Sequence, residues 1–260
     1  PPVAKAVAVV AGAALVVRGQ PCRATVAGAR LARHADEVLL LERQLSEDLG
    51  GMPEAPSPTV RIAVNADSLA TWFLPALAEV RGLLYDLVID DQDHSADWLR
   101  RGEVQAAVTA HGAAVAGCDV YPLGRLPYVA TASPAFVAEW FADGVTPGTL
   151  ARAPTLTFNR KDRLQVNWAR AVAAARLPLP AHFLASSRDF VEAAKLGLGW
   201  GMNPEPLVRD CLAAGTLVAL KPEITLDTPL FWQVTRLAAG PLGPLSAAVK
   251  RAASRHLPST

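Results

Sequence analysis

The sequence predicts an α/β protein in which a long helix precedes two α/β lobes. Three observations carry this expectation. Residues 26–49 contain no proline and a single glycine, Gly28, near their start. A proline-rich stretch follows, and from Val60 onward short β-branched runs alternate with amphipathic stretches that end at glycines. Such alternation is the pattern of strands and helices layered in one sheet. The chain has 260 residues, 51% hydrophobic and 19% charged, which suffices for one large domain or two of average size and excludes disorder.

Within the first helix, Leu31, Ala35, Val38, Leu45 and Leu49 recur at three- and four-residue steps, interrupted only by Glu42. That is the seam of a helix that pairs with another helix. At 1.5 Å per residue it would be about 36 Å long. Gly50-Gly51 stops it, and Met52-Pro-Glu-Ala-Pro-Ser-Pro58 reads as a linker and a domain boundary. Beyond it the predicted order is strand 60–64, helix 68–80, strand 87–89, helix 95–101, strand 104–109, then strands 120–123 and 128–131. A second series follows, with helices 134–141, 164–176, 189–196, 205–213 and 242–256 and strands 155–158, 182–184, 200–202, 217–220 and 230–234. Trp200 and Trp232 are expected in the core.

Charge divides the chain unevenly. There are 25 Lys+Arg against 24 Asp+Glu, a net charge of +1, which excludes a chain that is basic throughout. Yet residues 1–35 hold Lys5, Arg18, Arg23, Arg30 and Arg33 with no acid, while the remaining 225 residues carry 20 basic and 24 acidic groups. A basic terminus of +5 on a body of −4 suits a molecule that meets phosphate at one end only. Ala6–Val17 is apolar but too short to span a bilayer, and Arg18 closes it without a cleavage site, so neither a membrane partner nor secretion is expected. Cys22, Cys118 and Cys211 lie far apart with no metal-type spacing. A reducing, cytoplasmic setting and no metal follow as expectations.

Ligands of α/β sheets bind at the carboxyl ends of strands, where helix N-termini present free N–H groups. Asn65-Ala66-Asp67-Ser68 and Ala185-Ser186-Ser187-Arg188 both fall there, one in each lobe. Ser68 and Ser186 also suit helix capping, and Ser186 with Asp189 imitates a capping box. No nucleophile elbow, zinc-binding helix, phosphate loop or dinucleotide fingerprint is present. Gly197-Leu-Gly-Trp-Gly201 leaves a helix and enters a strand, so it reads as a helix stop, and the Asp90–His94 cluster reads as a solvated loop. No enzyme and no cofactor are expected.

Arg18 and the run Pro21-Cys22-Arg23-Ala24-Thr25-Val26-Ala27-Gly28, then a long helix, a linker and two lobes, resemble the LysR-type transcriptional regulators from the wing of their DNA-binding domain onward. Residues 64–73 (Val-Asn-Ala-Asp-Ser-Leu-Ala-Thr-Trp-Phe), Asp91-Gln92-Asp93-His94-Ser95, Gly197–Gly201 and Pro229-Leu-Phe-Trp-Gln233 are similar to the ArgP/LysG branch, which controls export of lysine and arginine. The resemblance covers about Leu15 to the end.

It implies two Rossmann-like lobes of periplasmic-binding-protein type behind a partial winged helix-turn-helix at 1–28 and a dimerisation helix and hinge at 29–58. The effector domain would be 59–260, with lobe I at about 59–126 and 227–260 and lobe II at about 127–226. Much of the DNA-reading head would be missing from residues 1–28. Lys5, Arg18, Arg23 and Thr25 would contact double-stranded DNA, Arg18 and Arg23 through phosphates. An amino-acid effector would sit between the lobes. Ser68, Ser186 and Ser187 would meet its carboxylate; Asp67, Asp91 and Asp93 would meet its ammonium groups; Asn65 would join them and Thr109 would line the floor. His111 departs from the acidic residue of lysine-responsive relatives. A homodimer or dimer of dimers and RNA polymerase are the further implied partners. The rival reading is a solute-binding protein of a transporter, which has the same two-lobed fold but no use for the helix 26–49.

Overall fold

The alternating apolar runs fold into one mixed seven-stranded sheet shared between two lobes. The structure is a computed structural model that describes residues 12–50, 57–90 and 95–259. A hairpin of β1 (Val16–Val17) and β2 (Arg23–Ala24) leads into α1 (Val26–Asp48). Gly28 is required where hairpin and helix meet, because a Cβ there would lie 1.9 Å from the Leu15 carbonyl oxygen. The Thr25 hydroxyl closes the same corner, donating to Ala14 O at 2.6 Å and accepting from Gly28 N at 3.0 Å.

β3 (Thr59–Val64) lies between its parallel neighbours β4 (Leu84–Ile89) and β5 (Ala106–Thr109). Val60, Ile62, Ala63 and Val64 are all fully buried, as expected of a strand covered on both faces, and only Thr59 and Arg61 of the strand are partly exposed. Between β3 and β4 the chain forms α2 (Ala66–Ser68), a π-helical turn at Leu69–Phe73, and α3 (Leu74–Glu79). Trp72 and Phe73 point from the π turn into the core, where Phe73 meets Trp232 at 6.1 Å between ring centres. α4 (Ser95–Arg100) connects β4 to β5.

The sequence suggested separate strands at 120–123 and 128–131, but they are one strand, β6 (Cys118–Ala132). The register between β6 and β11 steps from Leu230↔Gly124 to Phe231↔Pro122, so Leu123 is the extra residue of a bulge in β6, beside Gly124 with its φ of +123°. β11 (Leu226–Thr235) begins four residues earlier than the sequence suggested, and it runs antiparallel to β6 from Leu226↔Tyr128 to Thr235↔Cys118. Its end pairs with β5, while the far end of β6 pairs with β9 (Gly201–Pro204) and β10 (Val218–Ala219). These two long strands therefore carry the chain from one lobe to the other and back.

The second lobe adds α5 (Pro134–Trp140), α6 (Pro147–Leu150), the parallel pair β7 (Thr155–Thr157) and β8 (Ala181–Phe183), and α7 (Leu164–Ala173), α8 (Ser187–Lys195) and α9 (Glu205–Ala213). Trp168 and Trp200, both fully buried with ring centres 5.0 Å apart, join α7 to the strand layer. The chain then returns through β11 to α10 (Arg236–Ala239) and α11 (Gly243–His256) in the first lobe.

α1 lies along this first lobe. Leu40, only 3% exposed, inserts into its core, and the Arg43 guanidinium donates to the carbonyls of Arg81 and Gly82. Leu31, Val38, Leu41, Leu45 and Leu49 instead face outward, Leu45 and Leu49 at 58% and 74% exposure. The Gly124→Ala variant is expected to lose at least about 1–2 kcal/mol of stability, read as a lowered thermal midpoint. Its Cβ would adopt a left-handed φ and lie 2.6 Å from Pro258 O.

Candidate effector cleft

Four strand exits and the front of β9 converge on one cleft. Asn65, Ala66 and Asp67 follow β3, Asp90 follows β4, Phe158, Asp162 and Leu164 follow β7, and Ser187 and Phe190 belong to α8 after β8. Met202, Asn203 and Pro204 of β9 complete the wall around about 470 Å³ of empty space, part of it open to solvent.

Polar groups here fall into two sets. One set is held by the protein. Asp67 Oδ2 accepts from the Tyr128 hydroxyl at 2.7 Å, and Asp90 Oδ2 accepts from the Trp98 indole N–H at 2.9 Å. Asp162 caps its own loop, accepting from Phe158 N at 3.0 Å and Leu164 N at 2.9 Å, while Asn159 Oδ1 accepts from Lys161 N and Asp162 N at 2.7 and 3.1 Å. Burial pushes the Asp162 carboxyl above its ordinary value, and the hydrogen bonds from Phe158 and Leu164 pull it part of the way back.

The other set has no hydrogen-bond partner among the described residues. It comprises both side-chain polar atoms of Asn65, the Ser187 hydroxyl and Asn203 Oδ1, on residues that are at most 6% exposed. Asn203 is oriented by its other end, Nδ2 donating to Thr131 Oγ1 at 2.9 Å. Unpaired buried polar atoms are costly, so a concentration of them along a cleft marks groups reserved for a polar ligand. Next to them Ser187 opens α8, where the first helical N–H groups are free to meet an anion.

The sequence-predicted residues divide accordingly. Asn65, Asp67 and Ser187 line the cleft. Ser186 caps α8, accepting from Asp189 N at 3.4 Å. Ser68 does not cap its helix: helix formation begins at Ala66 with Asn65 in the capping position, so Ser68 lies one turn inside and is fully buried. Thr109 is likewise withdrawn from the cleft, its hydroxyl donating to His111 O and accepting from Gln233 Nε2, both at 3.1 Å. Asp91, Asp93 and Lys5 lie outside the described residues. Arg18 and Arg23 are exposed on the hairpin, and Thr25 is engaged at its base.

Asp90, Phe158, Asp162, Phe190, Met202 and Asn203 were not singled out as site residues. Two signals were readable: Asn159 and Asp162 follow a predicted strand as Asn65 does, and Asn203 is a lone amide beside an apolar strand. Among the described residues no group of three or more His, Cys, Asp or Glu could hold a metal ion, and no helix is long and apolar enough to cross a membrane.

Residues 53–254 match the family model of the LysR substrate binding domain. The chain belongs to the LysR family. The HTH-type transcriptional regulator LysG of Mycobacterium tuberculosis H37Rv is 42% identical over 243 residues, which are 94% of this chain and 80% of that protein. The C-terminal domains of a LysR family protein from Agrobacterium tumefaciens are 53% identical with a TM-score of 0.75, covering 78% of this chain and 99% of that one. Full-length LysG of Corynebacterium glutamicum with bound effector Arg is 36% identical with a TM-score of 0.74, covering 98% of this chain and 87% of that one. This LysR-family chain is therefore a transcriptional regulator of the ArgP/LysG branch rather than an enzyme.

Ser187→Ala is expected to leave the ligand-free protein equally stable, or to stabilise it by up to about 1 kcal/mol, since a buried hydroxyl without a partner is removed. Thermal unfolding without ligand checks this directly.

Proposed function

We propose that the cleft binds a basic amino acid of the lysine/arginine class, and that its occupancy changes how a homodimer, or a dimer of dimers, engages double-stranded DNA to control an amino-acid exporter gene. The observation that carries this reading is the pairing of opposite needs in one cleft. The α8 N-terminus with Ser187 offers donors for an α-carboxylate, while Asp67, Asp90 and Asp162 line the same space with acceptors for cations. The arginine bound to LysG of Corynebacterium glutamicum supports the same ligand class.

The division into a partial DNA-binding segment at 1–28, a dimerisation helix and hinge at 29–58 and an effector domain at 59–260 follows from this reading. The outward stripe Leu31, Val38, Leu41 and Leu45 on α1, continued by Leu49 just past its end, would pair with its copy about a two-fold axis. Arg18 and Arg23 on the exposed hairpin would meet phosphates in the cytoplasm, supplying salt-sensitive affinity rather than sequence choice. RNA polymerase would be the downstream partner. A ligand shifts such an assembly only by binding one arrangement better than another. The solute-binding alternative shares the lobes but leaves α1 and its apolar stripe without a purpose.

Calorimetry with lysine, arginine and neutral norleucine, combined with mobility shifts on the chain's own upstream DNA at two salt concentrations, tests the proposal. Binding of the two cationic amino acids and a salt-sensitive shift altered by them are expected; failure of both cationic ligands to bind defeats the effector reading. Leu45→Glu is expected to shift the assembly toward monomer in light scattering. Acidification should weaken binding of a cation, because protonation removes the Asp162 charge, and the raised value of that carboxyl places the loss at higher pH than for a surface carboxylate. Asp162→Asn should flatten that part of the profile.

A further inference from the structure

A cation of the protein already occupies one of the carboxylates that a cationic ligand needs. Lys161, on the loop between β7 and α7 in the second lobe, reaches Asp90 at the end of β4 in the first lobe, with 3.6 Å between Nζ and Oδ1. Both ends of this bridge are set by local structure. The second oxygen of Asp90 is held by the Trp98 indole N–H, and the Trp98 ring has the Arg101 and Arg61 guanidinium groups at 4.6 and 5.8 Å from its centre. The Lys161 loop is fixed by Asn159 Oδ1 and by Asp162, which lines the cleft immediately beside it. Lys161 itself is about half exposed, and its long side chain is free to swing outward while Asp90 stays in place.

We propose that Lys161 is a tethered competitor for cationic ligands, and thereby a residue that sets the affinity threshold and the charge selectivity of the cleft. This rests on the reading of the cleft as a basic amino-acid site. A ligand ammonium or guanidinium that reaches Asp90 exchanges with Lys161 there. The ion pair lost between the lobes is subtracted from the binding energy of every cationic ligand, and a neutral ligand leaves the pair intact. The same exchange replaces a link between the lobes with a link through the ligand, so it differs between the free and the bound protein, as any effector-driven change requires.

The test is calorimetry of wild type, Lys161→Met and Lys161→Arg with arginine, lysine and neutral norleucine, with thermal unfolding as a check on folding. A partly exposed ion pair contributes modestly, so Lys161→Met should bind arginine and lysine about two- to fivefold more tightly, with norleucine unchanged and Lys161→Arg close to wild type. In an Asp90→Asn background the same Lys161→Met change should have no effect, since the two residues act as a pair. Unchanged or weaker arginine binding by Lys161→Met, while wild type binds arginine, overturns the competitor role alone. A gain for norleucine equal to that for arginine also overturns it. If neither wild type nor Lys161→Met binds any cationic amino acid, the reading of the cleft falls and the competitor role falls with it.

Discussion

Everything in the molecule hangs on the antiparallel ladder between β6 and β11. These strands are the two covalent passages between the lobes and they pair with each other from Tyr128 opposite Leu226 to Cys118 opposite Thr235. One end of the ladder merges with β5 of the first lobe and the other end of β6 merges with β9 and β10 of the second. The lobes are thus attached through a continuous sheet whose one irregularity in this ladder is the β6 bulge at Leu123 beside Gly124. That shared support is what lets the exits of β3 and β4 look across at those of β7 and β8.

Across the cleft the electrostatics follow a simple division. Carboxylates are oriented by protein donors: Tyr128 for Asp67, Trp98 for Asp90, and two backbone amides for Asp162. Neutral polar groups at Asn65, Ser187 and Asn203 are buried without partners among the described residues. An oriented acceptor presents its charge with little reorganisation, and an unpaired amide or hydroxyl gains a full hydrogen bond when a ligand arrives. Both features favour a bound polar molecule over an empty cleft. Tethering Lys161 to Asp90 moderates this preference for cations, so the cleft's acidity does not translate directly into affinity.

Much of the fold was legible because its signals are local. The glycine- and proline-poor stretch became α1, the helix 205–213 has the bounds its pattern suggests, and the β-branched run after the linker is the buried β3. The misses are equally physical. Gly124 resembles a turn in sequence, yet a bulge at Leu123 of β6 itself lets the ladder continue past it, so two strands are one. Ser68 is a good capping residue by type, but Asn65 precedes it with extended backbone and the helix starts there instead. Thr109 stands at a strand exit as expected, and Gln233, 124 residues later in the chain, claims its hydroxyl.

The sequence by itself determined most of the strands and helices of the two lobes, though not the β1–β2 hairpin or the short helices α6 and α10, the basic character of the first 35 residues, and the family to which the chain's motifs point, because periodicity, charge and motif spacing are properties of short runs. It also marked Asn65, Asp67 and Ser187, which sit where strand exits meet helix N-termini. Only the tertiary structure decided that Asp90, Asp162 and Asn203 share one cleft with them, and that Lys161 of one lobe answers Asp90 of the other. Across the cleft those relations join residues of different lobes, Lys161 and Asp90 among them, through sheet pairing and lobe geometry, and no local pattern records which distant carboxylate a lysine will reach.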